Sequence, residues 1–159
     1  MGPLRFGQSR DEVAAALGEP VTAWDVGKYA QWLRFDGVGI DTYYDQETRT
    51  LAAVAVDACR GPQVRHDGVC LVGRLPSELD PWIEKTVPTL EESELPEYVD
   101  GLRFGERGEP CLLGLGVVLR CQQNGDHARS RPVFLAPQWA MQGQERLDTL
   151  IPRREWLTY

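Results

Sequence analysis

The sequence predicts an α+β fold in which two tandem helix–three-strand units form one curved antiparallel sheet with the helices on one face. The first observation is a repeat: residues 29–35 and 98–104 both end in Leu-Arg-Phe, and a helix signal precedes each copy. The second is a length of 159 residues with 42% hydrophobic content, which suffices for one domain with its own core. The third is the number of glycines (16) and prolines (11), residues that end helices and strands and so divide the chain into short elements. Because a repeat indicates one structural unit built twice, we expect a single pseudo-symmetric domain with units at 1–60 and 68–136 and a C-terminal extension at 137–159.

Each predicted unit begins with a helix. Ser9 and Glu12 have the spacing of a capping box, in which the serine hydroxyl accepts from the Glu12 amide and the carboxylate reaches back. Gly18 suits the left-handed residue that follows a helix. In the second unit, Pro76 opens a helix that is predicted to run through Ile83.

Alternation of residue types predicts three strands in each unit. In the first strand Leu33 and Phe35 share one face, whereas Trp32 and Arg34 share the other. A polar loop with an Asn-Gly turn signal is expected over 122–131. The predicted strands are 28–36, 39–45, 51–56, 98–104, 112–121 and 132–136.

The net charge and the hydropathy of the chain argue against nucleic-acid binding and membrane insertion. The net charge of −7 disfavours nucleic-acid binding, because contact with phosphates requires clustered Lys and Arg. The chain shows neither an apolar run of membrane-spanning length nor the apolar core of a signal peptide. We therefore expect a cytoplasmic protein that binds neither nucleic acid nor membrane, and an acidic surface that favours a basic protein partner. The oligomeric state stays open.

The chain offers little for catalysis or metal binding. Its four cysteines are Cys59, Cys70, Cys111 and Cys121. They lack the paired C-x2-C spacing of a zinc site, and we expect free thiols. A hydrolase that uses Cys59 or Cys70 with His66, oriented by Asp57, is a third possibility, although no local catalytic signature accompanies these residues. We expect no catalytic site, no metal and no cofactor.

The face of the sheet opposite the helices is the predicted partner-binding site. Trp, Tyr and Arg are residue types that dominate protein-binding hot spots. The predicted site combines this face with an acidic rim: Trp32, Arg34, Asp41, Tyr43, Arg103, Arg120, Glu91, Glu92 and Glu94. An alternative is that the C-terminal tail, Trp156-Leu-Thr-Tyr159, covers Trp32, since an exposed tryptophan is costly unless it is covered or used.

Residues 2–20 read Gly-Pro-Leu-Arg-Phe-Gly-x-Ser-Arg-Asp-Glu-Val-x-x-x-Leu-Gly-x-Pro, which resembles the opening of small two-repeat proteins of high-GC bacteria. Several of these look like members of polymorphic-toxin immunity sets. The repeated unit also resembles β-lactamase-inhibitor-protein-like domains and small outer-membrane-assembly lipoproteins. The first-helix signature of those two families matches here at Gly7, Ser9, Val13, Leu17, Gly18 and Pro20. The resemblance implies a tandem helix-plus-strands fold.

Together these observations predict a non-enzymatic, cytosolic immunity or inhibitor protein that occludes a partner toxin or enzyme. The alternative is a small-molecule or lipid-binding module that holds its ligand between the sheet and the helices.

Overall fold

The structure is a computed structural model, and it describes residues 2–18, 20, 22–26, 30–91, 101–105 and 108–140. These residues form an α+β fold, as the sequence predicts. The helices are α1 (Arg10–Leu17), α2 (Asp80–Glu91) and α3 (Pro137–Ala140). The strands are β1 (Thr22–Val26), β2 (Ala30–Phe35), β3 (Ile40–Asp45), β4 (Leu51–Val56), β5 (Arg65–His66), β6 (Val69–Cys70), β7 (Arg103–Phe104), β8 (Pro110–Leu112), β9 (Val117–Asn124) and β10 (His127–Leu135). Within the described ranges, no helix combines the length and the apolar character needed to cross a bilayer.

Eight of the strands form one antiparallel sheet in the order β1-β2-β3-β4-β10-β9-β8-β7, while β5 and β6 form a separate hairpin. The strands β1 to β4 run in chain order from one edge to the centre, and β7 to β10 run from the other edge to the centre. There β4 and β10 pair, with Val54 opposite Phe134. Each half therefore holds four sheet strands, one more than predicted.

The predicted elements of the first half are largely confirmed. The Ser9 hydroxyl accepts from the Glu12 amide at 3.3 Å, and the Glu12 carboxylate accepts from the Ser9 amide at 2.7 Å. Gly18 ends α1 with a φ of 93°, in the left-handed region. The strand predicted at 51–56 has those bounds as β4, and β3 lies within 39–45. The additional strand, β1, pairs along the outer edge of β2.

The second half departs from prediction in three places. A 3-10 turn over Leu113–Leu115 divides the predicted strand 112–121, and Gly116 follows it with a φ of 63°. A Cβ on Gly116 would lie 2.6 Å from the Leu135 carbonyl oxygen, so the close approach of β10 requires glycine there. The predicted loop 122–131 belongs mostly to β9 and β10, which leaves only a tight turn around Gly125. The helix predicted from Pro76 is a 3-10 turn followed by α2.

Three apolar clusters hold the fold together. Val13 of α1 packs in the first cluster, with Leu4, Leu33, Phe35, Ile40, Tyr44, Leu51 and Val54. Trp82 and Ile83 of α2 pack in the second, with Leu71, Leu79, Leu112, Val117 and Leu119. Trp139 and Ala140 of α3 belong to the third, with Trp32, Tyr43, Ala52, Ala53, Ala55, Cys111, Leu113, Val118, Val133 and Leu135.

The clusters cover both faces of the sheet. Successive residues of a strand point to opposite faces. Leu33 belongs to the first cluster and Trp32 to the third, just as Leu119 belongs to the second cluster and Val118 to the third. The third cluster thus lies on the face opposite the other two.

Candidate functional site

The predicted open face of the sheet is covered at its aromatic residues. Trp32 and Tyr43 are buried in the cluster that contains Trp139 of α3. The indole N–H of Trp139 donates to the Asp45 carboxylate at 3.0 Å, which anchors α3 on this face. The expectation that Trp32 and Tyr43 are exposed is therefore wrong. Trp139 and Ala140 of α3 pack in the same cluster, whereas the tail at 156–159, the predicted alternative cover, lies outside the described residues. Burial removes large aromatic surfaces from water, which favours this packing.

The structure brings only some of the predicted site residues together. Trp32 lies opposite Tyr43, and Arg34 lies opposite Asp41, across the β2–β3 pair. Of these four, Arg34 alone reaches solvent to a substantial extent.

The remaining predicted residues are dispersed. Arg120 is buried on β9, so the expectation that it lies on an open face is wrong too, and Arg103 lies on β7 at the far edge of the sheet. Glu91 is the last residue of α2, and Glu92 and Glu94 lie outside the described residues. The acidic rim is thus not part of the described arrangement.

A buried ion pair joins β3 to β10. The Asp41 carboxylate accepts from Arg34 at 2.9 Å (Nε to Oδ1) and 3.1 Å (Nη2 to Oδ2), and it also accepts from Arg131. Both Asp41 and Arg131 are buried. The intervening strand β4 carries Ala55 opposite Asp41, and the small methyl side chain leaves room for the Arg131 side chain to reach across.

The arginines keep Asp41 ionised. Burial alone would raise the pKa of the Asp41 carboxyl, but the hydrogen bond from Arg34 and the charges of Arg131 and Arg34 outweigh burial and lower its pKa. The pair is thus a charged element on the face of the sheet that also carries the apolar third cluster.

The ion pair continues into a second carboxylate at the end of β4. The Arg131 guanidinium donates to the Gln122 side-chain oxygen at 3.3 Å and lies 3.9 Å from Asp57. The Asp57 carboxylate accepts from the Gln122 amide at 3.1 Å and from the backbone amides of Cys59 and Arg60 at 2.9 Å each. Burial opposes ionisation of Asp57, but these hydrogen bonds and the charge of Arg131 lower its pKa. The loop after β4 is thereby fixed against the β9–β10 hairpin.

The network reaches solvent at three residues, Arg34, Asp36 and Arg60, which we call the charged rim. Asp36 lies 3.9 Å from Arg34 and 3.6 Å from Arg60. The exposed fraction of the side chain increases from 1% at Arg131 to 30% at Arg34, 39% at Asp36 and 62% at Arg60. The Arg34 guanidinium carbon also lies 5.0 Å from the Trp32 ring centroid, within the range of a cation–π contact. A surface of three charges is therefore attached to a buried support.

The predicted site includes Arg34 and Asp41 of this network. It lacks the network's other residues, namely Asp36, Asp57, Arg60, Gln122 and Arg131. The prediction of a loop over 122–131 hides Arg131. One sequence signal points to Arg131: a single charged residue stands next to apolar strand residues in Arg131-Pro-Val133. A charge in a buried strand requires a partner of opposite charge, so this pattern indicates a buried ion pair.

The residues considered for a cysteine-based hydrolase have other partners. Asp57 is bound in the network described above. The His66 Nδ1 atom accepts a hydrogen bond from the Trp82 indole at 3.3 Å. None of the four cysteines forms a disulfide, and burial, together with the charge of Glu109, raises the pKa of the Cys121 thiol.

Among the residues that the structure describes, no group of three or more His, Cys, Asp and Glu side chains is placed to hold a metal ion. Comparison of the chain with protein-family models, with curated proteins and with solved structures found no match.

Proposed function

We propose that this chain is a non-enzymatic protein-binding module of the cytoplasm, an immunity or inhibitor protein that occludes a partner toxin or enzyme, and that its docking surface is the charged rim. One observation carries the proposal: a partly exposed arginine of the rim, Arg34, is held in a fixed geometry by a buried ion pair. The Arg34 guanidinium is bound side-on by Asp41, which in turn is bound by Arg131.

A fixed arginine suits recognition. Its planar guanidinium forms directional hydrogen bonds, and a side chain that is ordered before binding loses less conformational entropy in the complex. A buried ion pair is often no more stabilising than apolar residues of the same volume. The Asp41–Arg131 pair is therefore better accounted for by the surface that it supports than by its contribution to stability.

The charges of the molecule favour a basic partner. The net charge of −7 attracts a positively charged protein at long range. At short range Arg34 and Arg60 flank Asp36, so a complementary surface has to place acidic groups opposite the two arginines and a basic group opposite Asp36.

The proposal includes a duplicated architecture with α1 and α2 on one face of the sheet. Its support is the strand order, in which two four-strand halves meet at β4 and β10. Further support comes from the clusters, since α1 and α2 pack against strand residues that alternate with those under α3.

The small-molecule or lipid-binding alternative has less support. It requires space between the sheet and the helices, whereas Val13 of α1 packs directly in a cluster with Leu33, Phe35 and Val54. All four of these side chains are buried.

The test is affinity capture from the native host, followed by measurement of the affinity for the captured protein. Arg60→Glu reverses the most exposed charge of the rim. Arg5→Glu is the matched control, because Arg5 is also exposed but lies near Gly7, which bonds to the opposite end of β4. We expect the dissociation constant to rise about tenfold for Arg60→Glu, as the loss of one well-placed interfacial charge predicts, and to stay unchanged for Arg5→Glu. Equal affinity of the two variants, or no specific capture by the wild type, contradicts the proposal.

A further inference from the structure

The β5–β6 hairpin is held against α2 by a hydrogen bond that only a neutral histidine accepts. The indole N–H of Trp82 donates to Nδ1 of His66 at 3.3 Å. The two rings meet edge-on, with centroids 5.6 Å apart and planes at 77°. Trp82 is buried in the second cluster, whereas His66 is half-buried, so water reaches the histidine but not most of the indole.

The hairpin is a small two-stranded element, and the Leu71 carbonyl that follows it accepts from the Ser130 hydroxyl of β10 at 2.7 Å. Its tight turn places Asp67 and Gly68 at φ values of 48° and 79°. The Leu71 amide donates to the Val64 carbonyl at 2.9 Å and so closes the base of the hairpin, whereas Val69 and Leu71 dock it on the second cluster. A two-stranded hairpin of this length depends on such docking contacts for its stability.

We propose that His66 and Trp82 form a pH-sensitive latch that holds the β5–β6 hairpin on α2 while His66 is neutral and releases it when His66 is protonated. The imidazolium form carries a proton on Nδ1, so two N–H donors face each other and the Trp82 indole loses the acceptor it has in the neutral form. A buried donor without its acceptor is unfavourable, and outward movement of the hairpin relieves this by exposing both groups to water.

The direction of the effect follows from which protonation state makes the bond. The neutral imidazole has a ring nitrogen that accepts, and the imidazolium has none. Acidification therefore weakens the latch, and a return to higher pH restores it.

Other charged groups lie on the elements that meet at this contact. The hairpin carries Arg65, whose guanidinium donates to the Gly68 carbonyl at 3.2 Å, together with Asp67 and the thiol of Cys70. The charged residues of α2 with described side chains, and those of the turn before it, are Arg74, Glu78, Asp80, Glu84 and Lys85. Arg74 and Glu78 pair with each other at 3.0 Å.

Hydrogen exchange of the full-length protein tests the latch. The readouts are the Trp82 indole proton and the Leu71 amide, measured at pH 7.5 and 5.5 and corrected for the intrinsic pH dependence of exchange. We expect protection of both to fall about tenfold at pH 5.5, the factor that corresponds to one lost hydrogen bond. His66→Gln supplies a side-chain oxygen that accepts without titrating, and its protection is expected to be the same at both pH values.

His127→Ala is the matched control, because His127 is the other histidine of the chain and lies exposed in the β9–β10 hairpin. This variant is expected to keep the wild-type pH dependence. Equal protection of the wild-type protein at the two pH values overturns the latch, and so does a pH effect that disappears in His127→Ala. The wild-type and His127→Ala results decide the question even where His66→Gln folds poorly.

Discussion

Asp41→Asn removes the charge of the buried carboxylate while preserving the size of its side chain. In the wild type this carboxylate accepts from Arg34 at 2.9 and 3.1 Å and from Arg131, and Asp41 and Arg131 are buried. Removing one partner of a buried ion pair costs about 3 to 5 kcal/mol of unfolding free energy. For a chain of this size, that corresponds to a decrease of roughly 6 to 20 °C in Tm.

Asp36→Asn is the matched control, because it removes a carboxylate that pairs with the same arginine from the surface. Asp36 lies 3.9 Å from the Arg34 Nε and its side chain is 39% exposed, so solvent screens the interaction. We expect a loss of less than about 1 kcal/mol. Thermal unfolding and urea denaturation of the two variants give the comparison directly.

The pH dependence of the Asp41→Asn effect provides a second readout. The pKa of Asp41 is lower in the folded protein than the ordinary value of about 3.9 in the unfolded chain. Its stabilising contribution is therefore fully present above about pH 4 and is lost as the pH falls through the folded pKa. The difference in stability between wild type and Asp41→Asn is expected to be largest near neutral pH and to shrink towards pH 3. Equal losses in the two variants, or a difference that is independent of pH, refute the assigned role of the buried pair.

Three further substitutions test other parts of the fold. Trp139→Ala removes the largest side chain of α3 from the third cluster, and we expect urea denaturation to show a loss of about 3 to 5 kcal/mol in unfolding free energy. The control Gln138→Ala changes an exposed side chain of the same helix and is expected to cost less than about 0.5 kcal/mol. Similar losses in the two variants contradict coverage of the sheet by α3. Gly125→Ala places a Cβ at positive φ in open space and is expected to cost about 1 to 2 kcal/mol of unfolding free energy. Gly39→Ala also has positive φ, but its Cβ would lie 2.5 Å from the Gly61 backbone nitrogen, so we expect a clearly larger loss. Thermal melts of the two glycine variants separate the clash from the backbone strain, and equal Tm values disprove the close approach at Gly39. Ser9→Ala removes the cap of α1 and is expected to cost about 1 kcal/mol of unfolding free energy, whereas Ser9→Asp keeps a side-chain acceptor and most of the stability. An unchanged stability of Ser9→Ala contradicts the cap.

Local features of the fold were predictable because they depend on neighbouring residues. The Ser9 and Glu12 cap is a contact within one helical turn, and β4 is a continuous apolar run bounded by turns. The strand that begins at His127 escaped prediction because residues 127–131 are mostly polar and show no alternation. Pairing with β9 and the burial of Arg131 make this segment a strand, and both are long-range effects.

The candidate site was predictable only in part for the same reason. Strand alternation correctly puts Trp32 and Arg34 on one face and Leu33 on the other, but it does not tell which distant segment covers a face. The structure supplies α3 as that cover. The Asp41–Arg131 contact joins residues 90 positions apart, and no local pattern indicates it.

The most direct measurement of the central claim is site-specific photo-crosslinking in the native host. A photoreactive amino acid at Gly37 lies beside the charged rim without replacing any of its residues, and a side chain there meets open space. The control position is Glu47, exposed in the turn at the opposite end of β3. Docking through the charged rim predicts that a protein partner is crosslinked from position 37 and not from position 47. Crosslinking of the partner from position 47 but not from position 37 contradicts it.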